Sequence, residues 1–260
     1  MGPFAVILPA AGRSTRFGDP KQKKIYAELD GRAVWLRAVE PFINRDDVAQ
    51  VILAIHPEDR ELFERRYRAS VAFMNIQVID GGAERVDSIA LALERIDPAC
   101  DFVAVHDAAR PCITADLIDK VFDAARTGGA ALPGYPVPDT LKRVDENGLI
   151  VETVPIGELY AVQTPQAFHL DLLLRAYADR GRIQEAITDD AQLVEAIGHR
   201  CRIVEGSPLN LKITTQADLQ IAEAILQVLT RPRKAGPAHP FADEREMWGE
   251  SPKPRPQDLF

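Results

Sequence analysis

The chain has 260 residues, 46% of them hydrophobic, and a formal net charge of −8. That length suits one large domain with enough apolar side chains for a core, and the acidic balance argues against a general nucleic-acid or anionic-membrane binder. Cys100, Cys112 and Cys201 lack CxxC spacing, which points to free thiols in a reducing compartment rather than a disulfide frame or a zinc site. The N-terminus has no basic stretch followed by an apolar one, and no apolar run is long enough to span a bilayer. A cytoplasmic location is therefore expected.

Residues 4–8 read as a buried strand, followed at once by the small-residue turn Ala10-Ala11-Gly12. Arg16 and Lys21 come next, with Lys23 and Lys24 behind them. Small residues let backbone N–H groups approach an anion, and cations neutralise it. The loop is thus either a polyphosphate cradle or a solvated basic turn. It is neither of two common phosphate loops. Gly18 is followed by Asp19 where a Walker A loop needs lysine, and only Gly12 answers the GxGxxG of a dinucleotide fingerprint.

Residues 51–55 form a second apolar run. Pro57-Glu58-Asp59 then opens a charged helix, with proline early and acids in the first turn. Residues 76–79 read as a strand ended by Asp80-Gly81-Gly82, and Ile89, Leu93 and Ile96 give residues 85–96 a helical spacing. Residues 102–105 run into His106-Asp107, Thr114 is placed to cap a helix through Arg126, and residues 130–132 continue the sheet. Strand runs without polar alternation are buried on both faces. The fold class is therefore α/β with a mostly parallel sheet.

Residues 136–156 break the pattern. Thr140 to Val144 and Leu149 to Val154 flank Asp145-Glu146-Asn147-Gly148, whose Asn-Gly pair marks a hairpin. Its polar–apolar alternation makes it an arm rather than a core strand. A two-stranded arm is marginal alone in water, so it is expected to pack on something, such as a second subunit or its own domain. Residues 170–179 and 189–197 read as helices, the second capped by Thr188. Residues 201–204 and 211–213 read as short strands, and residues 215–229 as a closing amphipathic helix. Residues 231–260 are proline-rich, charged and aperiodic, the composition of a disordered tail. The expected organisation is one domain over 1–230, with an arm at about 136–156, and a tail over 231–260.

Ligands meet open α/β sheets at strand ends. Asp107, directly after a buried strand, is placed to bind a hard cation beside phosphates, and Arg110 to hold an anion bidentately. A turn cap and a surface ion pair are the structural alternatives for these two. His106 reads as a structural strand-end residue. Gly82, Arg85 and Ser88 offer backbone groups, a cation and a hydroxyl to a nucleobase.

The segments AAGRSTRF, DPKQ, GGAERVDS, VHDAARP, PVPDT, AVQTPQAF, TDDA and NLKITT, in this order and spacing, resemble the 2-C-methyl-D-erythritol 4-phosphate cytidylyltransferase family over residues 4–229. The resemblance implies a Rossmann-like nucleotidyltransferase domain with a β-arm exchanged across a homodimer. It implies a reaction of CTP with a sugar-alcohol phosphate of the isoprenoid pathway, with Mg²⁺. By position in the motifs, Arg16 and Lys21 would steady charge on the α-phosphate, and Asp107 would take the metal and substrate position. Arg110, Lys212 and the partner arm's Thr140 would contact the alcohol phosphate, and Ala10, Ala11, Gly12, Gly82 and Ser88 the cytidine.

Three positions depart from the family pattern. Ser14 stands where a second loop glycine is usual, Ala83 replaces a frequent acid, and Ile156 replaces an arginine that would meet the alcohol phosphate. Isoleucine cannot bind an anion. This keeps a second acceptor, such as ribitol 5-phosphate, in view. A third reading, a non-catalytic nucleotide-binding protein, is opposed by the joint presence of Arg16, Lys21, Asp107 and Lys212.

Overall fold

The structure is a computed structural model that describes residues 2–18 and 23–230. Lys21 and the expected tail lie outside the described residues. The chain divides into Met1–Ile225 and Leu226–Phe260, and the fold and site below belong to the first unit.

In chain order, β1 (Phe4–Ala10) leads through two short 3₁₀ turns, Thr15–Phe17 and Lys24–Tyr26, to the ribbon β2 (Glu28–Leu29) and β3 (Arg32–Ala33). Then come α1 (Val34–Ile43), β4 (Val48–Ile55), α2 (Arg60–Phe73), β5 (Ile76–Asp80), α3 (Arg85–Leu93), β6 (Phe102–Val105), α4 (Ala115–Gly128) and β7 (Ala130–Pro136). The hairpin β8 (Leu141–Val144) and β9 (Ile150–Val154) follows. The chain continues through β10 (Tyr160–Val162), β11 (Gln166–His169), α5 (Leu170–Ala178), α6 (Asp190–Ala196), β12 (Arg202–Glu205) and α7 (Gln216–Thr230).

The described residues form an eight-stranded sheet in the order β10-β7-β11-β6-β1-β4-β5, with β12 beside β7. From β6 to β5 all neighbours are parallel, as the two-sided apolar runs require. The other end is mixed: β11 runs antiparallel to β6 and β7, and β10 antiparallel to β7. Successive β1 residues point to opposite faces. Phe4, Val6 and Leu8 enter a core with Trp35, Phe42, Phe63 and Phe122, whereas Ile7 enters one with Ile89, Leu93, Phe168 and Leu173. Both faces are therefore covered by helices.

Local chemistry accounts for the element ends. The Thr114 hydroxyl accepts from the Leu117 amide at the start of α4, and Gly129, at φ 79°, ends it. Helix α6 is capped by Asp189, which accepts from the Gln192 amide, and not by Thr188 as expected. Asp is the stronger cap, and here it sits one residue nearer the helix. Residues 211–213 are not a strand. The Ile213 amide donates to the Ala109 carbonyl, tying this stretch to the loop after β6 instead of to a strand. The hairpin forms at the expected residues, Leu141 opposite Val154, with Gly148 at φ 79° in its turn.

Because β1, β4, β5 and β6 are parallel, the segments Ala10-Ala11, Asp80-Gly81-Gly82 and His106-Asp107 leave the sheet on the same side. The packing beneath them rests on aromatic contacts. The Phe4 and Phe122 rings stack at 3.7 Å between centroids with planes 12° apart. Phe122→Ala should cost about 3–5 kcal/mol of stability, read as a lower urea midpoint with an unchanged m-value.

Candidate functional site

The parallel strand ends open on a cleft of about 280 Å³. The loop after β1 contributes Ala10, Ala11 and Gly12 to its wall. The turn into α3 contributes Gly82, Arg85 and Ser88, and the far wall carries Asp107 and Lys212. Eight predicted site residues thus meet at one place. Two close approaches make this wall possible. A Cβ on Gly81 would lie 2.5 Å from the Ala11 Cβ, and one on Gly82 would collide with Asp87. Glycine at 81 lets the β5 loop seat against the β1 loop, and glycine at 82 lets the turn fold tightly onto the start of α3.

Asp107 is the electrostatic centre. It is 7% exposed. Its Oδ2 takes Lys212 Nζ at 2.7 Å and lies 3.8 Å from Arg110 Nε, and its Oδ1 accepts from Arg85 Nε at 3.3 Å. Burial by itself raises the Asp107 pKa, but Arg85, Lys212 and Arg110 outweigh it and hold the carboxyl well below the usual carboxylate range. Lys24 lines the same cleft. Burial lowers its pKa, Lys212 and Arg16 lower it further, and Asp107 opposes them. The cleft is therefore a concave surface where cations outnumber the carboxylate they surround. Such a surface receives a polyanion.

Buried side-chain amides, rather than a strand, hold Lys212 in place. Gln163 Nε2 donates to the carbonyls of Ser207 and Asn210, and Asn210 Nδ2 donates to the Thr164 carbonyl. Arg110 NH1 donates to the Asn210 carbonyl at 2.7 Å. Arg110 thus ties the loop after β6 to the stretch that carries Lys212, next to Asp107 and outside the residues that line the cleft. Ser88 is 1% exposed, and its hydroxyl already accepts from the Gly82 amide and donates to the Glu84 carbonyl. It shapes the turn.

Two other predicted residues do not line the cleft. Arg16 is exposed in the Thr15–Phe17 turn, and Thr140 is exposed just before β8. Arg13, which belongs to the motif AAGRSTRF but was not singled out, does line the cleft. Asp190, within the motif TDDA, was likewise not singled out, and it pairs with Arg85 NH2 at 2.8 Å.

His106 is fully buried and bonded on both ring nitrogens, Nε2 to the Arg110 carbonyl and Nδ1 to the Thr164 hydroxyl. It is the structural strand-end residue the sequence implies. Burial lowers its pKa to about 4. The folded state thus prefers the neutral ring, and the unfolded state takes up the proton first as pH falls. Stability is full above about pH 6.5, the ordinary histidine value, and declines until about pH 4, by roughly 3 kcal/mol. Unfolding free energies between pH 7 and 4 should show this slope, and His106→Asn should lack it.

Comparison with known proteins gives the family. The family model described as IspD, 2-C-methyl-D-erythritol 4-phosphate cytidylyltransferase, matches residues 4–228. The 2-C-methyl-D-erythritol 4-phosphate cytidylyltransferase of Rhodopirellula baltica is 42% identical over 234 residues, 85% of this chain and 94% of that one. The protein of the same name from Bacillus mycoides is 40% identical over 225 residues, 86% of this chain and 98% of that one. The crystal structure of 2-C-methyl-D-erythritol 4-phosphate cytidylyltransferase from Thermus thermophilus has a TM-score of 0.72 and 33% identity, covering 87% of this chain and all of that one. The chain belongs to the 2-C-methyl-D-erythritol 4-phosphate cytidylyltransferase family.

Proposed function

We propose that this protein transfers a cytidylyl group from CTP to 2-C-methyl-D-erythritol 4-phosphate, giving 4-diphosphocytidyl-2-C-methyl-D-erythritol and pyrophosphate for isoprenoid precursor synthesis. Family membership supplies the reaction. The observation that carries it to this site is the buried Asp107 ringed by Lys212, Arg85 and Arg110 at the strand ends.

In this reading an oxygen of the acceptor phosphate attacks the α-phosphorus of CTP. The bond from the α-phosphorus to the oxygen bridging to the β-phosphorus breaks, and pyrophosphate leaves with that electron pair. No proton need move, because the acceptor is already an anion. The barrier is the approach of two anions. Positioning and fixed positive charge are what lower it. Arg16 and Lys21 would meet the α-phosphate, and Lys212 and Arg110 the acceptor phosphate. Ala10, Ala11, Gly12 and Gly82 would bring backbone close to the cytidine.

A Mg²⁺ ion fits this donor set in one way. Among the described residues no group of three His, Cys, Asp or Glu side chains could hold a metal. Mg²⁺ commonly uses one or two carboxylates and takes its remaining ligands from phosphates and water. Asp107 would be the protein ligand for an ion arriving on the nucleotide, and the ion would neutralise triphosphate charge. The triphosphate also supplies the negative charge that makes a further cation tolerable beside Lys212 and Arg85.

The reading includes a cytoplasmic homodimer joined through the arm. Leu149, Ile150 and Val151 on the hairpin are each more than 60% exposed, an apolar surface that a second subunit would cover. Thr140 stands at the base of that hairpin, so a partner's arm could carry it to the cleft. No described helix is long and apolar enough to cross a membrane. Val151→Glu should shift the species seen by sedimentation from dimer towards monomer, and an unchanged dimer would show that the arm is not the interface.

Ile156 favours keeping a second acceptor in the test, because it offers no charge where the family pattern has an arginine. Pyrophosphate release should be measured with CTP and Mg²⁺, offering 2-C-methyl-D-erythritol 4-phosphate and ribitol 5-phosphate separately. Release with the erythritol phosphate alone is expected. Release with ribitol phosphate alone would reassign the acceptor, and CTP binding without release from either would favour the non-catalytic reading. Lys212→Ala should lower turnover about a hundredfold and, by taking one partner from buried Asp107, lower the thermal midpoint as well.

A further inference from the structure

Arg85 does not rest on Asp107 alone. Its Nε meets Asp107 Oδ1 at 3.3 Å, while its NH2 meets Asp190 Oδ2 at 2.8 Å. Nε and NH2 form the edge of a guanidinium that commonly grips one carboxylate with two parallel bonds. Here that edge is split across two carboxylates, one from the loop after β6 and one from the first turn of α6.

Asp190 is built to stay put. It is 1% exposed, and the Tyr177 hydroxyl donates to its Oδ1 at 2.6 Å. Its backbone amide donates to Gln166 Oε1 at 3.1 Å, and Gln166 Nε2 donates to Asp189 Oδ2. A carboxylate this deeply buried is costly unless every contact is met. The arrangement serves no cleft contact of its own, since Asp190 and Tyr177 do not line the cleft.

The consequence falls on Asp107. With NH2 held away by Asp190, Arg85 reaches Asp107 with a single nitrogen, on Oδ1. Oδ2 stays with Lys212 at 2.7 Å. Without Asp190 the full fork could close on Asp107 and displace Lys212. We propose that Asp190, held by Tyr177, is a positioning residue: it keeps Arg85 turned so that Asp107 remains shared with Lys212 in the geometry the reaction uses. This rests on the cytidylyl-transfer reading for its effect on rate, but the side-chain arrangement can be tested apart from it.

The test is a double-mutant cycle with Asp190→Asn and Arg85→Lys, read by pyrophosphate release and by the crystal structure of Asp190→Asn. In the wild-type background Asp190→Asn should lower kcat about tenfold. In the Arg85→Lys background, where no fork exists, it should cost less than about twofold. The crystal structure should show both Arg85 nitrogens on Asp107 and a longer Lys212 to Asp107 distance. Equal losses in both backgrounds, or an Arg85 that has not moved, would overturn the proposal. Should Asp190→Asn fail to fold, Asp190→Ala paired with Tyr177→Phe removes the carboxylate and its buried donor together, and runs through the same cycle and the same crystallographic measurement. A wild-type protein without turnover would count against the proposed reaction, and Arg85's position in the variant would still decide for or against the clamp.

Discussion

Asp107 keeps its charge while 7% exposed, and it does so because three cations converge on it, Arg110 from its own loop and Arg85 and Lys212 from distant parts of the chain. Desolvating one carboxylate costs several kcal/mol, so the partners must be in place before the site is tolerable. Arg85 comes from the turn after β5, Arg110 from the loop after β6, and Lys212 from the stretch before α7. Each approach is secured by structure that has no other evident use. Gly81 lets the β5 turn close on the β1 loop, and Gly82 lets it close on the first turn of α3. Gln163 and Asn210 hold residues 206–213 where a strand would otherwise be needed. The cleft is therefore a product of the whole sheet and is not the property of one loop.

The same charge balance says what the cleft can receive. Arg85 is neutralised between Asp107 and Asp190. Lys212 and Arg110 share what remains of Asp107, and burial together with Lys212 and Arg16 disfavours the charge on Lys24 more than Asp107 and Asp218 support it. A ligand bringing several negative charges relieves this excess. That explains why no serine–histidine or cysteine–histidine pair is required. The buried His106 is spent on the Arg110 carbonyl and the Thr164 hydroxyl, so it has no free nitrogen with which to act as a base.

The parallel core was legible because its strands are short apolar runs, each ended by small or polar residues. Thr114 announced α4 by capping chemistry, and Asn-Gly announced the hairpin. What was not legible has physical reasons. Helix α1 carries Pro41 in its last turns, which breaks the local pattern. Its place is secured by burial of Trp35, Ala38, Val39 and Phe42 on one face. β11 mixes the buried polar Gln166 with Ala167 and Phe168, so neither alternation nor an apolar run marks it. Residues 211–213 have strand composition, but their partners are the loop after β6 and side-chain amides, which no local signal encodes. In the site, Asp107 and Arg85 were visible as charged residues following strands, whereas Lys212 was marked only by the resemblance of its motif, NLKITT, to the family. Asp190 was not visible, because a carboxylate beside a helix cap reads as part of the cap.

Ser14 shows how a local rule can be broken and compensated. The family pattern has glycine there, and serine disfavours positive φ. Yet Ser14 sits at φ 55°, ψ 32°, a left-handed conformation that costs a non-glycine residue about 1–2 kcal/mol. The serine supplies something glycine lacks. Its hydroxyl accepts from the Lys24 amide at 3.3 Å, joining the two ends of the basic loop. A second tie lies beside it: Asp59, 9% exposed, accepts from Lys23 Nζ at 2.8 Å and from the Tyr26 hydroxyl at 3.1 Å. Phe17, buried at 2%, anchors the near side. Serine therefore takes up the left-handed angle that glycine would favour and adds a hydrogen bond that glycine cannot make. A strained backbone angle is offset by a hydrogen bond across the loop, and Lys24 is delivered to the cleft with its backbone fixed.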